Sequence, residues 1–237
     1  MAKTTTAPQP SLSLWVGMPI VRNTVLAAGN NAKGVADICA AMGIPVEDLD
    51  NAELRLGLDQ GIAGVEAALR ISGDPLLGLH LGERTGVSAL GLAGLLMESS
   101  KDVYSAMRCS QEFTRAFTTT QTFDLVTIGN EVHFHAEPVP VWTERSPETA
   151  DFVVDTTFSS VIHQLYLLTR KHIRPLRVAY RRSRPADTRE HERIFGCRPL
   201  YEQASNHMVF AVADMSIPVL GHNKPLSDML KAMYADH

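Results

Sequence analysis

The chain has 237 residues, of which 45% are hydrophobic, enough apolar content for a buried core. Its formal net charge of −4 argues against a free-standing nucleic-acid binder, which would carry a basic patch. The cysteines Cys39, Cys109 and Cys197 are odd in number and far apart, so they indicate neither a disulfide framework nor a zinc site. With no signal-peptide segment and no 18-residue apolar run, we predict a cytoplasmic protein without a membrane span.

The first half of the chain is predicted to be helical. Residues 1–11 are polar and contain prolines, which is typical of a disordered lead-in. Apolar residues recur at helical spacing over residues 31–42, ending at Gly43, and over residues 59–71, ending before Gly73. Asp74-Pro75 is predicted to open a further helix. Two more helices are predicted over residues 89–98 and, capped by Ser99 or Ser100, along a stripe that ends at Phe117.

The pattern changes to alternation at residue 120. Residues 123–128 and 131–137 flank Gly129-Asn130, a two-residue loop that favours a β-hairpin. This pairing places Asp124 opposite His135. The predicted core face carries Phe123, Leu125, Val132, Phe134 and Ala136, and the opposite face Asp124, Glu131, His133, His135 and Glu137.

The remaining elements complete the predicted sheet and its supporting helices. A long apolar helix is predicted over residues 146–172, followed by a strand over residues 176–181. Asp187 and Glu190 have capping-box spacing and begin a short helix that Gly196 closes. Residues 200–204 and 207–213 are interpreted as two strands joined by Ser205-Asn206, and residues 224–234 as a terminal helix.

These elements predict an α+β fold in which a helical N-terminal half packs with a mixed or antiparallel sheet backed by the long helix. We expect one domain over residues 12–237, with a helical half at about 12–118 and an α/β half at about 119–237. The two halves are expected to share one apolar core.

Five residues are candidates for a ligand site, each with a simpler structural interpretation. His163 and Tyr166 share one face of the long helix, where satisfied core groups are the more common case. Trp142, close to Pro138 and Pro140 in the connector after the hairpin, is either an aromatic lid over a pocket or packed against the domain edge. Tyr180 and Arg182 alternate on a strand; Arg182 is either a partner for a carboxylate ligand or an ordinary surface arginine.

Other chemistry has weaker support in the sequence. Glu131, His133, His135 and Glu137 on one strand face are either metal ligands, a pH-sensing group or the solvated side of the hairpin. The sequence has no nucleophile elbow, phosphate loop or nucleotide fingerprint, so we predict neither an enzyme nor a cofactor. Cys197 beside Arg198 is the one hint of a reactive thiol.

Several motifs together resemble the N-terminal effector domain of AraC-type bacterial transcription regulators. The first is Gly73-Asp74-Pro75 with Gly78, Leu79 and Leu81-Gly82. The second is residues 91–99 followed by Val103-Tyr104-Ser105-Ala106. The third comprises Ile194, Phe195-Gly196, Asn206, Phe210 and Ile217-Pro218. The resemblance spans roughly residues 14–230.

The resemblance implies a ligand-sensing and dimerisation module, so the expected partners are a small-molecule effector and a second copy of the chain. That family places a double helix-turn-helix DNA-binding domain after this point, whereas this sequence ends at His237; DNA would be a partner only through that domain. The seam between helices and sheet is the expected pocket, and its apolar character favours a hydrophobic or amphipathic organic acid over a sugar. The alternative is a standalone haem- or metal-dependent sensor or a small enzyme.

Overall fold

The computed structural model describes residues 14–235, and the predicted lead-in at residues 1–11 lies outside them. The α+β class is confirmed: helices surround a four-stranded antiparallel sheet, and a two-stranded sheet joins the ends of the first helical hairpin. The strands are β1 (Trp15–Gly17), β2 (Arg55–Gly57), β3 (Gln121–Ile128), β4 (Glu131–Pro138), β5 (Arg177–Ala179) and β6 (His207–Ala211). The helices are α1 (Met18–Ala28), α2 (Ala32–Met42), α3 (Leu58–Ser72), α4 (Leu77–Gly82), α5 (Leu92–Ser99), α6 (Val103–Glu112), α7 (Pro140–Arg145), α8 (Pro147–Thr169), α9 (Arg189–Phe195), α10 (Val212–Met215) and α11 (Lys224–Ala235).

The helix ends in the first half follow local capping chemistry. Asn31 caps α2 by accepting a hydrogen bond from the Gly34 amide, and left-handed Gly43 and Gly73 end α2 and α3 as predicted. The predicted cap of α6 at Ser99 or Ser100 is wrong. Asp102 fills that position and accepts from the Ser105 amide, because the two serine hydroxyls donate back to α5 instead.

The start of α4 also differs from the prediction. The Asp74 carboxylate accepts a hydrogen bond from the Leu76 amide at 2.9 Å, which closes a turn, and the helix begins only at Leu77. The same side chain contacts His80 Nδ1 at 2.6 Å. Asp74 therefore fixes the approach to α4 without being its N-cap residue.

The hairpin β3–β4 is confirmed in the predicted register. Ile128 pairs with Glu131 across the turn, and Asp124 lies opposite His135. The strand order is β3-β4-β6-β5, and every pairing in this sheet is antiparallel. The predicted core face is confirmed, since Leu125, Val132, Phe134 and Ala136 are buried and Phe123 packs against them.

The predicted hairpin between residues 200–204 and 207–213 is wrong. β6 pairs with β4 on one edge and β5 on the other, so no edge remains for another strand. Leu200 instead makes a single bridge to Ala179, and Glu202 takes a left-handed turn conformation. After Ala211 the chain turns into α10.

The capping box expected at the start of α9 is also wrong. Asp187 accepts from the Arg189 amide, only two residues on, and the helix begins at Arg189. Glu190, the expected reciprocal partner, pairs with Arg193 instead. The predicted close of this helix at left-handed Gly196 is confirmed.

The long helix α8 joins the two halves of the chain. Gly78 and Gly82 of α4 lie directly on its backbone: a Cβ added at Gly82 would be 2.6 Å from Thr156 O and 2.7 Å from Ser160 N. The largest cluster of buried apolar side chains accordingly takes members from both halves, among them Leu79, Met107, Phe134 and Phe158. Among the helices of residues 14–235, none is long and apolar enough to cross a membrane.

Candidate ligand-binding site

A cavity of about 150 Å³ lies between α1, α3 and α8, with further walls from α6 and the start of the sheet. It occupies the seam between the helical half and the sheet, where the sequence favoured a pocket. Most of its wall is apolar. The apolar side chains that line it include Ile20, Val21, Val65, Leu81, Leu90, Met97, Met107, Phe117, Phe123, Phe134, Trp142, Phe152, Val161 and Leu165.

The polar part of the wall is uncharged. Among the described residues that line the cavity, none is acidic, basic or a histidine. The polar lining consists of hydroxyl and carboxamide side chains: Asn23, Thr24, Thr85, Ser110, Thr118, Thr120, Gln121, Thr156, Thr157, Ser160 and Gln164. A buried charge needs a partner or extensive hydrogen bonding, so this wall suits a neutral molecule.

Three of these polar residues form a stripe on α8. Thr157, Ser160 and Gln164 are spaced three and four residues apart, so they lie along one face of the helix. The first two are already bonded within the protein. Thr157 contacts the Gln121 carboxamide at 3.3 Å, and the Ser160 hydroxyl donates to the Thr157 carbonyl at 2.9 Å.

Gln164 differs from Thr157 and Ser160 in its hydrogen bonding. Its side chain is only 4% exposed and lines the cavity. Its carboxamide makes no hydrogen bond with any residue of the described part of the chain. Buried polar groups are nearly always paired, so an uncommitted amide on a cavity wall indicates a group that is satisfied from within the cavity.

Of the five residues predicted from the sequence, Trp142 lines this cavity. Its ring is buried, and its Nε1 donates to Thr149 Oγ1 at 2.7 Å, so the indole forms part of the cavity wall. His163 and Tyr166 lie on α8 but outside the cavity lining. Tyr166 stacks on His172 at 4.8 Å between ring centroids, and burial lowers the pKa of His163 against the opposing charge of Glu83.

Tyr180 and Arg182 belong to a separate buried cluster. Arg182 forms a bidentate ion pair with Asp155, with nitrogen–oxygen distances of 2.8 and 2.6 Å, and Nη2 also donates to His191 Nε2 at 2.9 Å. Its guanidinium lies 4.3 Å from the centroid of the Tyr180 ring, which stacks on Tyr201. Burial would lower the pKa of Arg182, but the Asp155 carboxylate outweighs it and the net shift is upward. Arg182 is therefore held in an internal ion pair, outside the cavity lining, and is not an ordinary surface arginine.

The sequence contains a pattern that indicates the polar residues of α8 on the cavity wall. Thr157, Ser160 and Gln164 recur at helical spacing inside an apolar helix, the pattern of a polar stripe on a buried surface. His163 and Tyr166 have an equally regular spacing on another face of the same helix. Only the rotation of α8 decides which stripe faces the cavity.

Comparison with known proteins gives the family. Residues 34–219 match the family described as the arabinose-binding domain of AraC transcription regulator, N-terminal. The chain belongs to this family. The chain is 27% identical to the ornithine utilization regulator of Pseudomonas aeruginosa over 138 aligned residues. The aligned region covers 58% of this chain and 39% of that protein. The crystal structure of the transcriptional regulator CdpR from Pseudomonas aeruginosa matches with a TM-score of 0.59 and 16% identity, over 85% of this chain and 61% of that chain, which shows a shared fold. The chain thus spans less than two thirds of either relative.

The glycines in the motifs that resemble the AraC-type domain have a packing role in this structure. Gly78 and Gly82 allow α4 to lie on the backbone of α8, as described above. Gly94 lies in contact with the Val87 carbonyl, so no side chain fits there either. The motif that contains Gly78 and Gly82 therefore holds α8 at the position where the polar stripe of α8 lines the cavity.

The histidines of the AraC-type domain's sheet form a cluster on the outer face. His133, His135 and His207 have ring centroids 5.1 to 6.3 Å apart, and Glu131 pairs with both His133 and Arg177. Burial, followed by the nearby His135, lowers the pKa of His207. Within residues 14–235, no group of three or more metal-ligating side chains is arranged to hold a metal ion.

Proposed function

We propose that this chain is the effector-sensing part of an AraC-type regulator and that its seam cavity binds a small, uncharged and mainly apolar organic molecule. The observation that carries the proposal is the cavity itself, which combines an apolar wall, a neutral polar stripe and one uncommitted carboxamide. A cavity of about 150 Å³ lined by aliphatic and aromatic groups holds a ligand of about the size of benzene. A larger effector would require the walls to move apart.

The cavity chemistry changes the expected ligand class. The sequence favours an organic acid, with Arg182 as a partner for its carboxylate. Arg182 is committed to Asp155 and lies outside the cavity lining, and the described cavity wall contains no cation. An ionised carboxylate would lose its hydration without a counter-charge, which costs several kcal/mol. A neutral effector fits this wall better.

Two backbone contacts suggest how binding would reach the rest of a regulator. The Leu220 amide donates to Leu168 O on α8, and the Asn223 amide donates to Ser99 O at the end of α5. Both helices line the cavity, through Leu165 and Met97. A ligand that favours one spacing of α5 and α8 would therefore move the segment that leads into α11. The ligand must bind one spacing of these two helices better than the other in order to shift the populations of the two arrangements.

The proposal is tested by thermal-shift screening of this chain against neutral aromatic and aliphatic compounds and their charged analogues. A ligand at about one hundred times its Kd adds about 2.7 kcal/mol of stability. For a chain of this size that raises the melting temperature by roughly 5–10 °C. Neutral compounds should give this shift and their carboxylate or ammonium analogues should not.

A cavity-filling variant locates the binding. Val161→Phe enlarges a lining side chain, and Val141→Phe makes the same change at an exposed position outside the cavity. Val161→Phe should melt cooperatively and lose the shifts, while Val141→Phe should keep them. Shifts that survive in Val161→Phe, or that appear only with charged compounds, would contradict the proposal.

Homodimerisation is part of the proposed regulator function and remains a prediction. Exposed apolar side chains near the end of the chain, Leu220, Met229 and Met233, are compatible with an interface built from α11. Sedimentation velocity would test it: a dimer that Met229→Glu converts to a monomer supports the proposal, and a monomer at high protein concentration contradicts it. Binding to DNA and cytoplasmic location belong to the same proposal.

A further inference from the structure

We propose that Gln164 selects the polar group of the effector, so that the ligand carries one uncharged group able to accept and donate hydrogen bonds, such as an alcohol or a primary amide. This inference rests on the proposed function, because it requires that the seam cavity binds a ligand. It goes further by naming the group that is recognised and the residue that recognises it.

The isolated carboxamide of Gln164 has a free-energy cost. A buried polar group without a partner costs about 1–3 kcal/mol relative to a paired one. Gln164 is 96% buried, since only 4% of it is exposed, and the described protein offers it no partner. A wall residue that served packing alone would be better as leucine or methionine. The carboxamide is therefore best explained by a partner inside the cavity.

The other two carboxamides of the cavity wall are bonded within the protein. Gln121 exchanges contacts with Thr157 at 3.3 and 3.5 Å, and Asn23 Nδ2 donates to Thr85 Oγ1 at 2.7 Å. Those two amides are held by protein atoms and are part of the wall. Gln164 has both of its N–H donors and its carbonyl available.

The neighbouring hydroxyl groups use their O–H donors within the protein. The hydroxyls of Thr156, Ser160 and Ser110 each donate to a carbonyl of their own helix, at 2.9, 2.9 and 2.7 Å. Their remaining capacity towards the cavity is that of acceptors. Among these groups Gln164 adds strong N–H donors. A ligand carbonyl or hydroxyl oxygen can thus accept from Gln164, while its own N–H or O–H donates to Ser160 or to the Gln164 carbonyl.

The experiment uses one ring with five substituents on the intact chain: toluene, benzyl alcohol, benzamide, benzoate and benzylamine. Affinities are measured by titration followed by NMR or by thermal shift. Benzamide and benzyl alcohol should bind roughly 3- to 10-fold more tightly than toluene, the value of one net hydrogen bond. The two ions should bind more weakly than toluene.

Gln164→Leu should remove this difference by lowering the affinity for benzamide to about that of toluene, with toluene itself bound as well as before. Gln203→Leu is the matched control, since it makes the same chemical change at an exposed carboxamide outside the cavity lining. It should keep most of the preference for benzamide. Cooperative melting of both variants checks that they fold.

The two proposals fail in different ways. If toluene binds and Gln164→Leu leaves the preference for benzamide unchanged, or wild type shows no such preference, the role of Gln164 is refuted and the cavity remains a binding site. If no uncharged probe binds to wild type at any accessible concentration, the proposed function is refuted and the role of Gln164 falls with it.

Discussion

Replacing Gly82 with alanine should destabilise the protein strongly, because this residue sets the distance between α4 and α8. The added Cβ would lie 2.5 Å from Ser159 Cβ and 2.6 Å from Thr156 O, where ordinary contacts begin at 3.4 Å. The oxygen belongs to the α8 backbone and cannot rotate away, so the helices must separate by up to about 1 Å. That movement also stretches the 2.7 Å hydrogen bond from Ser159 Oγ to Leu79 O.

The expected magnitude combines two effects. Overpacking of a core contact costs about 1–3 kcal/mol, and weakening one buried hydrogen bond costs about 1 kcal/mol. We therefore expect a loss of about 3 kcal/mol in the free energy of unfolding. In a chain of this length the melting temperature should fall by roughly 6–12 °C, measured by circular dichroism or calorimetry.

Gly61→Ala is the matched control. Gly61 lies inside α3, and a Cβ there would meet only Val16 Cγ1 at an ordinary 3.6 Å. This variant should be stabilised by roughly 0.5–1 kcal/mol, because alanine is the better helix former. A Gly82→Ala protein that melts within a degree or two of wild type, or a Gly61→Ala protein that is equally destabilised, would refute the close approach of α4 to α8.

Three further predictions concern other parts of the chain. Asp155→Asn should lose about 3 kcal/mol in urea unfolding, because it leaves Arg182 buried without its counter-charge, whereas Asp187→Asn at an exposed pair should change little. The folded protein lowers the pKa of His163, His191 and His207, so the unfolded state takes up more of these protons than the folded state as pH falls below about 6.5. Stability should therefore decrease between pH 7 and 5.5, and a flat profile, or one unaffected by His207→Gln, would be inconsistent with this. Burial raises the pKa of the three cysteine thiols, Cys197 included. A disulfide reagent at pH 7 should therefore label the three cysteines slowly until urea unfolds the chain. Rapid labelling of Cys197 in the folded protein would instead support the reactive-thiol interpretation.

Local chemistry explains which elements could be predicted from the sequence. Gly129-Asn130 lies between two alternating segments, so turn type and side-chain pattern agree on one register for β3 and β4. Residues 200–204 also alternate, but β6 already has a neighbour on each edge. Strand formation there depends on which edges are free, and that information is not local.

The candidate site was harder to predict because α8 is apolar around most of its circumference. Such a helix has no strong preference for one face, so its sequence does not decide whether Gln164 or His163 turns inward. The contact of α8 with Gly78 and Gly82 fixes the rotation of the helix. The ion pair of Arg182 also depends on non-local packing, because its partner Asp155 lies on α8, 27 residues earlier in the chain.

The most direct test of the seam cavity as the effector site is to locate a bound probe by isotope-filtered NMR. Intermolecular contacts between benzamide and methyl groups of Val65, Val161 and Leu165, all on the cavity wall, are the expected result. Contacts confined to methyl groups outside the cavity, such as exposed Leu220, would contradict it.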